Sequence, residues 1–529
     1  MVETEGWALA CWRPEGPAPR RVPAMRRVGT ALVLILLAAA LWALAAWTRL
    51  RVLDQVVVGS DSLGPYLQAW SLSLAHVQAG ALPRPPNPES GDFLWITMLP
   101  LVHAARSLQE LFRLRFVVGA AVAPLGFLAT WVWAAREDGK RVWTEGRWSQ
   151  LCGAVAAGVV LAVDPGLVDT LVSGARGYAA PEVAALLTLL LALAWRGSAV
   201  AGIAAACVLV VAMDLHPLAA GLGLGCLLLL PGMGERMGYA ELGTAFLFGL
   251  LFALPRLLRL LALAQCGPDA MACLAEVARS NVHGDESVQL LFLVAAHDRL
   301  LVDLGPGVVI GLSVGLVLSK PYTGAGALAL GGLLGMLLIG GATGYLQSYH
   351  LRILAAPLAV GAGVGLSRLW PLALAWAGWA AWTELPALPQ GLDPGAAARH
   401  DQVAAMLADE AGPLWVDRVW WDGPPVLDAS GVVLAGLLQG QDPERFRVGP
   451  EVPLVLLSVG QGTAVPGREL AAGTAGPDAT PWTVVRVAGR GVVRQVIDHG
   501  HVVPHQEGGA WDWLVALQPE GADLEQTRW

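Results

Sequence analysis

The sequence predicts an α-helical polytopic membrane protein of about eleven transmembrane helices, followed by a small C-terminal soluble α/β domain. Three observations lead there. Of 529 residues, 55% are hydrophobic and only 14% charged, against roughly a quarter charged in soluble globular chains. Uncharged runs of near-spanning length recur from residue 28 to residue 383. From Glu384 onward the character changes, with 19 acidic residues and 9 arginines, many Pro and Gly, and no run long enough to span. The same composition excludes disorder. Only Lys140 and Lys320 are lysines, and the net charge of -8 offers no polybasic face for nucleic acid. Six cysteines without a CxxC pair give neither a disulfide scaffold nor a zinc motif.

Residues 1–27 read as a cytoplasmic tail, because five arginines precede the first apolar run. Residues 28–48 form the first span, longer than the apolar stretch of a cleaved signal peptide. A long outer loop, 49–115, follows. Further spans are expected at 116–135, 148–163, 177–195, 197–213, 218–234, 237–258, 304–319, 324–345, 353–367 and 369–383. Arg136, Lys140, Arg141 and Arg147 after the second span reinforce the orientation. Loops 49–115 and 259–303 and the tail 384–529 then face the extracytoplasmic side. Within the tail, helices are expected at 396–410 and 426–438 and strands at 413–417, 452–459, 482–488 and 491–497.

In the first outer loop, Leu63, Tyr66, Leu67, Trp70, Leu74 and Val77 recur at three- and four-residue spacing. That spacing predicts an amphipathic helix over 62–79 lying on the membrane face, with Asp61 at its N-terminus. Asp61 is then either a helix cap or a general base for an acceptor brought to the bilayer surface.

Here the chain resembles the GT-C membrane glycosyltransferases, the superfamily of protein O-mannosyltransferases and aminoarabinose transferase. The motifs carrying the resemblance are Gly59-Ser60-Asp61 with Tyr66, Asn87-Pro88 through Asp92 to Trp95, Ser173-Gly-Ala-Arg176-Gly-Tyr178, and Tyr349-His350-Leu351-Arg352 with Pro357. The layout it covers is 28–380. The resemblance implies transfer of a sugar from a polyprenyl-phosphate donor to an extracytoplasmic glycan, lipid or protein acceptor. It implies a bacterial inner-membrane location and Asp61 as catalytic base. Relatives often carry two adjacent acids in this loop, whereas Ser62 follows Asp61 here, so a divalent metal is left open, with Asp54 or Asp92 as substitutes. Asp164 and Asp169 occupy the place of a second carboxylate, although loop aspartates are commonly solvated.

A lipid phosphate at the membrane boundary requires charge-assisted donors. Arg176, Arg256 and Arg352 are the expected ones, while Arg259 reads as a snorkelling side chain. Asp214 and His216 between the fifth and sixth spans are candidate proton-relay or headgroup contacts facing an outer vestibule, and His350 is a candidate supporting residue beside Arg352. Asn281 to Glu286 is a candidate gating loop, and Cys266 with Cys273 a candidate disulfide. His499, His501 and His505 with Asp498 form a candidate metal site. A membrane scaffold without turnover is the alternative reading. A transporter is disfavoured, because the ionisable residues gather at helix ends rather than mid-membrane.

Overall fold

The computed structural model describes residues 24–58, 63, 65–67, 69–70, 92–137, 148–172, 179–263, 304–311, 324–343, 350–388, 395–409, 415–417, 429–442, 452–459, 467–475, 480–498, 501–503 and 515–519. It is mostly helical. Helices α1 (Ala24–Leu50), α2 (Asp92–Ala104), α3 (Leu108–Gly119), α4 (Val122–Glu137), α5 (Trp148–Val163), α6 (Pro165–Val172), α7 (Ala180–Ala194) and α8 (Ala199–Leu215) come first. They are followed by α9 (Gly221–Met237), α10 (Tyr239–Leu263), α11 (Ala325–Thr343), α12 (Ala355–Leu366) and α13 (Trp370–Glu384).

Among the described residues, five helical stretches are long and apolar enough to cross a membrane: Val28–Leu50, Leu108–Ala134, Trp148–Val172, Leu218–Met237 and His350–Glu384. Ala180–Ala194, Ala199–Leu215, Tyr239–Leu254 and Ala325–Ile339 are shorter apolar helices. The outer faces of α1 and α10 leave Val28, Ile35, Leu36, Phe246, Leu247, Phe248 and Leu251 exposed. Such a continuous apolar surface is untenable in water and natural against lipid, so the chain is an integral membrane protein.

Helices pack through small residues, as expected where lipid supplies no hydrophobic drive between helices. A Cβ at Gly221 or at Gly335 would run into the facing backbone, so α9 and α11 touch main chain to main chain. Gly153 and Gly363 do the same for α5 and α12, each within 3 Å of the other's carbonyl oxygen if given a Cβ. The bundle interior is filled by Phe112, Phe116, Phe127, Trp133 and Leu161, all fully buried.

The tail holds α14 (Ala396–Ala408) and α15 (Ala429–Leu438). It also holds strands β1 (Trp415–Asp417), β2 (Val452–Val459), β3 (Gly467–Ala475), β4 (Thr480–Asp498), β5 (His501–Val503) and β6 (Val515–Pro519). They form one sheet in the order β1-β2-β4-β3, with β5 and β6 also pairing β4. β1 lies parallel to β2 and the other pairs are antiparallel. The two strands expected at 482–488 and 491–497 are one continuous strand, because the Gly-Arg-Gly between them extends rather than turns.

The expectation of a helix resting on the membrane face is corrected for the described part of 62–79. Leu63, Tyr66 and Ala69 are completely buried in the main core. Their spacing marks a face turned against other helices, and periodicity alone does not distinguish protein from lipid as the covering layer.

Candidate functional site

Successive helices alternate in direction, and this gathers chosen ends at one end of the bundle. The end of α1, the α5–α6 corner, the start of α7, the end of α8, the turn before α12 and the end of α13 all meet there. Each contributes an ionisable residue.

The first group is an ion pair. Arg115 Nη1 donates to Glu182 Oε1 at 2.6 Å, with the two side chains 1% and 12% exposed. Arg115 also hydrogen-bonds the Tyr66 hydroxyl. Burial pushes the Tyr66 phenol above its usual range, so it stays protonated. Its ring packs edge-on against Phe112, with centroids 6.5 Å apart. Beside this pair, Arg49 donates to Ala45 O at 3.0 Å and Ala162 O at 3.3 Å, and Thr48 donates to Ala162 O at 2.7 Å. Ala162 lies in the last turn of α5, so Thr48 and Arg49 satisfy a carbonyl that the helix leaves orphaned. Arg49, Arg115, Gly119, Thr170 and Glu182 line a cavity of about 10 Å³, the size of one water.

Thr170 links this cavity to the next cluster. Arg352 Nη1 donates to Thr170 Oγ1 at 3.0 Å and its Nη2 to Asp169 Oδ2 at 2.6 Å. Arg352 is nearly buried, but the Asp169 side chain is 38% exposed, so this pair reaches the surface. Next to Arg352 on the same turn, the His350 ring lies 4.3 Å from that of His216. His216 Nδ1 accepts from Leu218 N at 3.3 Å, which leaves the proton of a neutral ring on Nε2.

The third group is a carboxylate pair. Asp164 accepts from Leu167 N at 2.7 Å, capping α6, and from Gly305 N at 3.2 Å. Glu384 accepts from Gly307 N. Both acids are essentially unexposed, and both take N–H groups at the start of the helix over 306–311, where an anion is favoured.

Of the predicted residues, the fold brings together Tyr66, Asp164, Asp169, His216, His350 and Arg352. Two expectations are corrected. Asp164 is no solvated loop charge, since two backbone donors hold it in the interior. His216 does not face an open vestibule, because the His350 ring covers it and it is buried. Asp61, Arg176, Tyr178, Cys266, Cys273, the segment 281–286, His499 and His505 lie outside the described residues. Arg256 lies on α10, Asp92 opens α2, and Asp498 pairs with His501 across the β4–β5 hairpin, all described by backbone alone. Among the described residues no three His, Cys, Asp or Glu side chains converge as a metal site.

Sequence reasoning missed Arg49, Arg115, Glu182 and Glu384. Glu182 did carry a signal, as an acid inside the otherwise uncharged run 177–195.

No family model and no curated protein sequence matches the chain. Among solved structures it is similar to ArnT from Cupriavidus metallidurans in the apo state, with a TM-score of 0.49 at 12% identity, covering 87% of this chain and 98% of that one. It is also similar to the same protein bound to undecaprenyl phosphate, with a TM-score of 0.43 at 14% identity and the same coverage.

Proposed function

We propose that the chain is a GT-C-type membrane glycosyltransferase that moves a sugar from a polyprenyl-phosphate donor to an extracytoplasmic acceptor. The polar end of the bundle is the reaction site, and it faces away from the arginine-rich N-terminus. The observation that carries the reading is Arg352, a nearly buried guanidinium at the rim of the bundle whose partner Asp169 is half-exposed. A phosphate arriving at the rim can exchange with the Asp169 carboxylate and take two guanidinium donors at once, which arginine's planar fork suits. Arg49 and Arg115 lie behind it and add positive potential in a dry surround, where charge acts strongly.

In this reading the acceptor hydroxyl or amine attacks the anomeric carbon. Its proton passes to Asp61, the carbon–oxygen bond to the carrier phosphate breaks, and the leaving phosphate remains on Arg352. The soluble tail, taken as a separate extracytoplasmic domain, covers this end.

The test follows labelled sugar from a lipid-linked pool into envelope material at matched protein levels. Asp61→Asn keeps any capping hydrogen bond and is expected to lower turnover by roughly 10²–10⁴-fold, the usual worth of proton-transfer catalysis. Arg352→Lys keeps the charge but loses the fork, and should mainly raise the KM for the donor, by about tenfold. Full activity in Asp61→Asn removes that residue from the mechanism. No transfer by wild type from any lipid-linked sugar favours a scaffold that keeps the architecture without turnover.

A further inference from the structure

The start of α3 is completed by a residue almost three hundred positions away. The first N–H groups of a helix have no partner within it. Ser107 Oγ accepts from Glu110 N at 3.1 Å, and Glu110 Oε2 reaches back to Arg106 N at 2.8 Å, a local box that leaves Leu108 and Gln109 unserved. Asp401 serves both. Its Oδ1 accepts from Leu108 N at 2.7 Å and its Oδ2 from Gln109 N at 3.1 Å.

Asp401 sits on α14 in the tail, and α14 is itself anchored. Gly395, in the left-handed region at φ 83°, donates its N–H to Asp54 O at 2.6 Å. Gln439 Nε2 donates to Asp401 O at 2.9 Å and Gln441 Nε2 to Ala404 O at 2.7 Å, which ties α15 to α14. The buried His400 ring and Val58 meet over Gly431, where a Cβ would lie within 3 Å of each. One tail helix therefore holds both flanks of the first outer loop, Asp54 before Asp61 and Leu108 after it. Two turns along α3 stands Arg115, the partner of Tyr66 and Glu182.

We propose that Asp401 is a positioning residue for the outer site. By fixing the first turn of α3 it sets Arg115 against Tyr66, and so orders the segment that follows Asp61. It acts through Arg115 and touches no reacting group. Its effect on sugar transfer rests on the functional reading above, whereas its effect on the Tyr66 segment does not.

The experiment is amide hydrogen exchange on the purified full-length protein in detergent, comparing wild type, Asp401→Ala, Asp401→Asn and each of these with Tyr66→Phe. Asp401→Ala is expected to speed exchange over 108–116 by about fivefold, the usual cost of a lost helix cap. It should also speed exchange in the peptide containing Leu63 to Trp70. Asp401→Asn keeps one acceptor oxygen and should show a smaller change at both places. It also supplies the comparison if the alanine variant does not fold. With Tyr66→Phe the hydrogen bond to Arg115 is gone, and the Asp401 effect at 63–70 should vanish while that at 108–116 remains. An effect confined to 108–116, or one at 63–70 that survives Tyr66→Phe, overturns the proposal. In the transfer assay, Asp401→Ala should lower kcat several-fold with the donor KM within twofold, and unchanged kcat overturns the consequence for turnover. Absence of transfer in wild type defeats the glycosyltransferase reading and leaves the exchange result to decide on Asp401.

Discussion

Two arginine–carboxylate pairs of equal length stand at the same end of the bundle and do different work. Arg115–Glu182 and Arg352–Asp169 both close at 2.6 Å, but the acid is 12% exposed in the first and 38% in the second. The sealed pair joins α3 to α7 with Tyr66 on its third side, leaving room for about one water. Burial of both partners makes their replacement by a ligand costly. In the rim pair water already competes with Asp169 for Arg352, so a phosphate entering there meets a smaller desolvation cost. Distance alone does not separate a strut from a binding group. Exposure of the weaker-held partner does.

The largest effect expected from this contrast is on stability at the sealed pair. Removing one partner of a buried ion pair leaves the other uncompensated, at about 3–5 kcal/mol. Glu182→Ala should therefore lower the thermal midpoint in detergent sharply, whereas Asp169→Ala, whose side of the pair is open to water, should lower it less. Replacing Arg115 and Glu182 together by Met and Leu should recover much of the loss, since no charge is then stranded. If the double variant is as unstable as Glu182→Ala, the pair is more than a strut, and the contrast with the rim pair fails.

Burial also silences a group outside the membrane-spanning helices, and pH makes that measurable. Burial lowers the pKa of His400 on α14 to about 4, while its Nδ1 lies 2.7 Å from Ala396 O. The depressed value means that the fold holds His400 neutral while the unfolded chain protonates near 6.5. Stability from this group is therefore full above about pH 6.5 and falls as pH drops from there toward 4. Asp401 beside it is raised by burial, which favours its protonated form in the fold and acts in the opposite direction. His400→Gln separates the two. It should remove the decline between pH 6.5 and 4 in exchange protection of α14, and a decline that persists assigns the effect elsewhere.

Much of the helical scaffold was legible in the sequence, for a simple reason. The runs 148–163, 353–367 and 369–383 became α5, α12 and α13 with ends shifted by at most two residues, because a helix that meets only lipid or other helices is apolar on all its faces. The polar end was less legible, for the same reason. Arg49, Arg115, Asp164 and Glu384 each bound an uncharged run, so a hydropathy reading takes them as exits into water. All four are buried at about 1% exposure or less. Whether a boundary charge is solvated depends on which other helix ends lie beside it, and alternation through the bundle decides that. Arg352 was legible because a motif drew attention to it. Arg115, which the fold seals more deeply, had none.

The smallest effect sharpens the comparison most. Asp169→Asn removes the charge that competes for Arg352 yet leaves an oxygen able to accept from its Nη2. Exposed ion pairs contribute about 0–1 kcal/mol, so the thermal midpoint should stay near that of wild type. If Asp169 is a latch that phosphate displaces, the variant should bind a polyprenyl phosphate more tightly, by up to about fivefold, the equivalent of the lost competition. If Asp169 instead orients Arg352 for the phosphate, affinity should fall. Titration of polyprenyl phosphate into wild type and Asp169→Asn in detergent, at two salt concentrations, distinguishes these. Tighter binding whose advantage shrinks with salt supports a rim pair held in reserve for a ligand. Weaker binding makes the rim pair a strut like the sealed one, and exposure then loses its value as the sign of a binding group.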